Sequence, residues 1–391
     1  MRKIYLDKNL QLVFGITLMA ILGVSSIIPA LPDIMKGLSI SPVEIGLIIS
    51  VFTLPGVLLS PLVGVLADRV GRKVILVPSL FIFGGFGFAC FFAQNMEQLL
   101  ILRFLQGVGA GPLGVIYGTM IGDLYEGRER GQAMGYNAGV LSMGTAAFPA
   151  LGGVLAMLGW NYPFILPLLA IPLGIAISMF MDTPEPKQSG SLKKYFRDAF
   201  KMMKTRQVLS LFATTLMTFT ILYGPIVTYL PILLNSKYNA SPASIGLVFL
   251  VASGFAGLAS FKLGTLAPRF GERSLLAAAG VLYGLSMLLM PQAPGLWHVV
   301  PPVICFGLAQ GLNIPMVMTM LTTIAPMEQR GAFMAANGLL LRLAQTLAPM
   351  LMGGIYALFG MHAVFIGGLL CSLAIFVLAL FAIQNTAKEH P

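Results

Sequence analysis

At 391 residues, 57% of them hydrophobic and only 10% charged, with a mean hydropathy of +0.88, the chain cannot be an ordinary soluble domain, in which about a quarter of residues are charged. Its net charge of +10 is spread over short loops and not gathered into one patch, so it reads as an orientation signal and not as a nucleic-acid surface. Apolar runs of the roughly 20 residues needed to cross a bilayer fall near 10–32, 43–66, 74–94, 99–123, 132–157, 162–181, 207–234, 242–266, 274–292, 298–325, 331–358 and 362–384. The pattern predicts an all-α membrane protein of twelve transmembrane helices, lying in a lipid bilayer.

The first run follows Met1, Arg2 and Lys3, which resembles the start of a signal peptide. It continues through Pro29 and Pro32 for a full membrane thickness with no small-residue cleavage site, so it is read as a retained first span. Basic residues gather in alternate loops, at Arg69, Arg72, Lys73, Arg128, Arg130, Arg269, Arg273 and Arg330 and through the 182–206 segment. Only Lys36 and Lys237 occupy the opposite loops, and the positive-inside rule places both termini and the 182–206 linker in the cytoplasm. Cys90, Cys305 and Cys371 all fall inside spans and far apart, which suggests neither a disulfide framework nor a metal site.

A repeat organises the chain. Gly64, Ala67, Arg69 and Gly71 are answered by Gly264, Ala267, Arg269 and Gly271, at a constant offset of 200. The register extends from Ser41 and Pro42 against Ser241 and Pro242 to Asn137 and Pro149 against Asn337 and Pro349. Two six-helix bundles are therefore expected, 1–181 and 207–391, joined by the cytoplasmic linker 182–206. The linker begins Pro-, Ser- and Gly-rich, and its second half, 193–206, could form a short amphipathic helix on the inner membrane surface.

The loop Gly64, Asp68, Arg69, Gly71, Arg72, Lys73 between spans 2 and 3 resembles the signature of the major facilitator superfamily, and the resemblance covers essentially the whole chain. Gly64 allows close helix packing, Gly71 suits a left-handed turn, and the basic residues hold the loop at the cytoplasmic face. The resemblance further implies that Asp68 faces the amino-terminal end of span 11, that Arg72 reaches Asp123 at the end of span 4, and that together they latch the cytoplasmic side. A bare topology signal is the competing reading. In the second copy Pro268 and Glu272 break the pattern, so gating is expected to be asymmetric.

Pro29 to Pro32 in span 1 and Arg103, Gln106, Gly107, Gly109 and Gly111 in span 4 look like motifs of the twelve-span drug:proton antiporter branch. Span 5 carries Gly144, Pro149, Gly152 and Gly153, similar to that branch's antiporter motif, although Phe148 stands where a glycine would precede the proline. Close helix contact and a bend would equally explain these glycines and this proline.

Charges inside spans are few, so each is informative. Arg103 lies about one turn inside span 4, and a pair with Asp33 at the outer end of span 1 would be broken by protonation; Asp33 as a solvated acid and Arg103 reaching outward is the alternative. Arg342 falls near the middle of span 11, and no Asp or Glu occupies the centre of any span, which favours an anionic or zwitterionic substrate; a structural arginine bound to carbonyls or to Gln345 is the alternative. Lys262 is placed to reach the cytoplasmic surface. Gln106, Tyr117, Asn137, Gln310, Asn313, Asn337 and Gln345 are candidates to line a substrate cavity or to bond helices together. No histidine is placed for a central relay, since His298 and His362 sit at outer span ends and His390 in the tail.

Paired carboxylates, HExxH, a nucleophile elbow and a P-loop are all missing from the sequence, which disfavours an enzyme, a receptor with a catalytic domain or an ATP-driven pump, and no cofactor is expected. The leading reading is a proton-coupled secondary transporter that exports a small organic or amphipathic compound from the cell across the inner membrane by alternating access, as a multidrug antiporter does. An importer or symporter of an organic anion or metabolite is the second. A complete twelve-span fold needs no second copy, so a monomer is expected.

Overall fold

The computed structural model describes residues 4–182 and 203–385, with the side chains at 61, 64, 65, 68 and 328 outside the description. Every regular element among them is helical. Span 1 is Lys8–Leu38, span 2 is Ile45–Val70, and Arg72–Phe92, Met96–Leu124, Gly127–Ala156 and Tyr162–Phe180 follow as spans 3 to 6. Spans 7 to 10 are Arg206–Tyr238, Pro242–Phe270, Glu272–Gln292 and Leu296–Ile324. Spans 11 and 12 run as Arg330–Phe381, broken at Gly360, whose φ of 79° no other residue type adopts without strain. Among the described residues the helices thus number twelve in two repeats, their bounds falling within a few residues of most of the hydrophobic runs. The amphipathic helix expected over 193–206 falls largely outside the described residues, as do His390 and the Asp68 side chain.

Contacts divide the chain into one unit of Met1–Ser189 with Ser241–Leu247, and another of Gly190–Ala240 with Val248–Pro391. The repeat is carried into detail by matching local chemistry. Ser39 and Asn239, 200 apart, end the first helix of each repeat in the left-handed conformation, at φ 55° and 51°. Gly71 and Gly271, at φ 94° and 80°, make the one-residue turns from span 2 to 3 and from span 8 to 9. Span 2 starts with a box in which the Ser41 N–H and hydroxyl donate to the Glu44 carboxylate at 2.8 and 2.7 Å. Those bonds hold the exposed Glu44 carboxyl below its ordinary value of 4.5. At span 8 the Ser241 and Ser244 hydroxyls, 3.0 Å apart, stand in the same two places.

Close packing within each unit follows from glycines at matched positions. A Cβ on Gly107 of span 4 would lie 2.1 Å from the Phe52 carbonyl oxygen of span 2. On Gly307 of span 10 it would lie 2.3 Å from the Ala252 carbonyl oxygen of span 8, the same pair 200 residues on. The backbones touch, which suits helices that gain nothing from hydrophobic exclusion against lipid. Leu10, Ile16, Phe83 and Phe164 fill the first unit and Tyr229, Tyr283, Phe333 and Phe365 the second, while Leu58, Phe261, Leu358 and Phe359 are exposed, as lipid-facing side chains are.

Span 7 is not a uniform α-helix. Leu222–Tyr229 is π-helical around Pro225, which has no N–H to give, and the Thr228 hydroxyl donates to the Tyr223 carbonyl at 2.7 Å. Span 1 contains a 3-10 turn, Ile28–Ala30, with Pro29 in its first turn.

Candidate functional site

At the end of the first unit where spans 2 and 3 meet, the Gly71 turn sends Arg72 to the Asp123 carboxylate at the end of span 4, an ion pair about one fifth exposed. Lys73 donates to the Met181 carbonyl at 3.1 Å, capping the last turn of span 6, whose final carbonyls have no helical partner. Beside it the Asp182 carboxylate pairs with Lys8 at 2.8 Å, and the Asp182 backbone N–H donates to the Asn9 amide oxygen at 3.1 Å. The Lys8 ammonium holds the Asp182 carboxyl below its ordinary value. Arg69 is exposed.

The second unit caps its sixth helix with the matching residue. Arg273 donates to the Leu380 carbonyl, its N–H bonds to the Asn385 side chain at 2.9 Å, and Arg206 reaches the Phe381 carbonyl at 2.9 Å. The position matching Asp123 is Thr323, whose hydroxyl bonds to its own helix, so the Arg72–Asp123 pair has no counterpart there.

Arg103 corrects an expectation. It is wholly buried and does not meet Asp33, which is 3.8 Å from Lys36 at the end of its own helix. Nor does it reach outward. Its Nη1 donates to the Gly23 carbonyl at 2.8 Å and to Gln106 Oε1 at 2.7 Å, and its Nε to the Ile48 carbonyl at 3.3 Å. The cause lies in span 1, where the 3-10 turn draws the Ile27 N–H to Val24 and takes from Gly23 its α-helical donor. The guanidinium fills that place and stacks over Phe52 at 4.1 Å, tying spans 1, 2 and 4 together.

Two polar pairs recur at matched places. Thr17 of span 1 donates to Asn137 of span 5 at 2.7 Å, and Thr215 of span 7 to Asn337 of span 11 at 2.6 Å. Eight residues further along both helices Gln345 donates to the Tyr223 hydroxyl at 2.8 Å, and Arg342 stands one turn before Gln345 on span 11. Thr218 donates to Asn313 of span 10 at 3.0 Å, and a cavity of about 10 Å³ opens beside Asn313, Thr215, Thr218 and Asn337. The structure therefore brings Asn313, Asn337, Gln345 and Arg342 into one region of the second unit. Asn137 belongs to the other unit's brace, Gln106 to the Arg103 cluster, and Tyr117 and Gln310 are half-buried on spans 4 and 10. The hydroxyl partners Thr17, Thr215, Thr218 and Tyr223 were not singled out from sequence, and only their regular spacing against the amides could have marked them.

In span 5, a Cβ on Gly152 would lie 1.8 Å from the Ser26 carbonyl and one on Gly144 2.9 Å from Leu18, so these glycines seat span 5 against span 1. Pro149, Gly153 and Phe148 are buried in the same helix.

The model of the Major Facilitator Superfamily matches residues 13–239 and 226–391. Among curated proteins the chain is similar to the quinolone resistance protein NorA of Staphylococcus aureus, 24% identical over 398 residues and 98% of each chain. It is also similar to the bacillibactin exporter of Bacillus subtilis, 25% identical over 98% of each chain. Among solved structures it resembles a bacterial homolog of the human lysosomal transporter Spinster in an inward-facing, unoccupied conformation, with TM-score 0.77, 18% identity and coverage of 98% of this chain and 96% of that one. A mutant of the nucleoside transporter NupG matches with TM-score 0.77, 14% identity and coverage of 96% and 98%. With residues 13–391 matched by the family model and its described helices numbering twelve in two repeats, the chain belongs to the Major Facilitator Superfamily and is a multi-pass membrane transporter, not an enzyme.

Proposed function

We propose that this transporter exports a small organic or amphipathic compound from the cell across the inner membrane in exchange for protons. The observation that carries the reading is the full-length likeness to two proteins whose names describe drug resistance and export. In this reading the bundles 1–181 and 207–391 work by alternating access, the linker 182–206 and both termini are cytoplasmic, and one copy suffices. Arg72 and Asp123, with Asp68, form the cytoplasmic latch, and Arg103 is a clamp that keeps spans 1, 2 and 4 together while the bundle moves. Arg342, Asn313, Asn337 and Gln345 supply recognition from the second bundle. Protons are the coupling ion, and Asp33, 30% exposed beside Lys36, is the acid of span 1 open to them.

Inside-out membrane vesicles test the direction. With an imposed gradient, acidic inside, they accumulate norfloxacin as the probe, and collapsing the gradient releases it. Accumulation of the probe only when the gradient is reversed would favour the importer and remove this reading.

A further inference from the structure

The second repeat holds a buried polar site that the first lacks. Thr215–Asn337 is matched by Thr17–Asn137, a brace both repeats share. Thr218 and Asn313 have no such counterparts, for the residues 200 positions earlier are Leu18 and Leu113, and Leu113 is wholly buried. One bundle of this fold thus packs with leucine where the other carries an amide, so helix packing does not require Asn313.

Its chemistry is unfinished. Asn313 is 1% exposed, its Oδ1 accepts the Thr218 hydroxyl proton, and its Nδ2 has no partner among the described residues. A buried donor without an acceptor is costly, and native structures rarely leave one. Asn313 lines the cavity of about 10 Å³ together with Thr215, Thr218, Phe219, Met318 and Asn337, room for about one water-sized atom. Both threonine hydroxyls already spend their protons on amide oxygens, so Nδ2 is the donor left over. A cation would meet that N–H dipole end-on. Phe219 and Met318 add an apolar wall.

We propose that this cavity recognises a single hydrogen-bond-accepting oxygen, the carbonyl or carboxylate oxygen of a compound whose apolar body lies against Phe219 and Met318. The site rests on the transport reading for its purpose and not for its geometry. A water molecule offers the same acceptor, and the test separates the two sources.

Thermal unfolding of the purified full-length protein is measured with benzamide, benzoate, benzylammonium and toluene. Benzamide and benzoate are expected to raise the melting temperature saturably, and toluene and benzylammonium are not. Asn313→Leu should keep the fold and weaken benzamide binding by about fivefold or more, the factor expected for one hydrogen bond. If Asn313→Leu fails to fold, Asn313→Met supplies the answer, because it fills the site without any donor and should lose the response to both benzamide and benzoate. Equal response to all four compounds, or unchanged benzamide affinity in the variant that folds, makes this a water site and overturns the proposal. Fragment binding in a protein that moves no compound would remove the export reading and leave this one, while export unaltered in Asn313→Leu together with unchanged binding would do the reverse.

Discussion

The matched braces allow a stability experiment in which one half of the molecule is the control for the other. Thr17→Val removes the hydroxyl that Asn137 accepts at 2.7 Å, and Thr215→Val does the same to Asn337 at 2.6 Å. All four side chains are 4% exposed or less, so bulk water does not reach the place of the lost donor, and the water-sized cavity beside Thr215 and Asn337 puts the second repeat at the lower end of the cost. Leaving a buried amide oxygen unsatisfied costs about 1–3 kcal/mol. The coupling between the partners is smaller, because a helix loosened within the bilayer finds other partners: about 0.6 kcal/mol on average and at most about 1.7 kcal/mol. These bonds are short and buried, so double-mutant cycles with Asn137→Leu and Asn337→Leu should give about 1–1.7 kcal/mol in each repeat. Units of about 195 residues shift by about 2–4 °C per kcal/mol, so each single valine variant should melt about 2–12 °C lower. Scanning fluorimetry in detergent reads this directly. Coupling below about 0.3 kcal/mol in both repeats would refute the assignment of these pairs as braces.

Gly107→Ala and Gly307→Ala should each lower stability by about 1–3 kcal/mol, because a methyl must enter against a backbone carbonyl; Gly118→Ala, with open space around it, should be neutral or stabilising, and melting temperatures decide. Arg72→Ala and Asp123→Asn should alter transport more than stability. An ion pair this exposed contributes about 0.2–1 kcal/mol, a shift of at most about fivefold between conformations, and a swapped pair, Arg72→Asp with Asp123→Arg, should recover part of it in a vesicle uptake assay. Glu44 has a lowered folded-state pKa, so its stabilising effect is present above 4.5 and lost as pH falls through the lower folded value; Glu44→Gln should flatten the acid fall of the melting temperature below pH 4.5 and leave the curve above pH 6 unchanged.

The spans and the repeat were readable because lipid leaves hydrophobic length as the dominant constraint on sequence. Gly71 and Gly271 announced their turns by residue type, whereas Ser39 and Asn239 adopt the same left-handed geometry without a glycine to mark it. Arg103 was misplaced for a physical reason: charge suggested the acid at Asp33, but the acceptor that holds it is the Gly23 carbonyl, freed by a change of helix type around Pro29. No pattern of side chains encodes a carbonyl set free in that way. The amides of the second bundle were legible as a group, but their threonine partners were not, since hydroxyls that bond to their own helix are common in spans, as at Ser210 and Thr214. Asn313 differed from Asn137 and Asn337 already in the sequence, by having leucine as its counterpart.

Proton movement followed by a pH-sensitive dye in proteoliposomes of known orientation tests the central claim most directly. Norfloxacin, benzoate and an organic cation of similar size are added in turn to vesicles without a preset gradient. Antiport predicts proton flow opposite to the compound, triggered by the probes that carry an acceptor oxygen and weakened by Arg342→Ala. Proton flow in the same direction as the compound, or compound movement with no proton flow at all, would contradict the account.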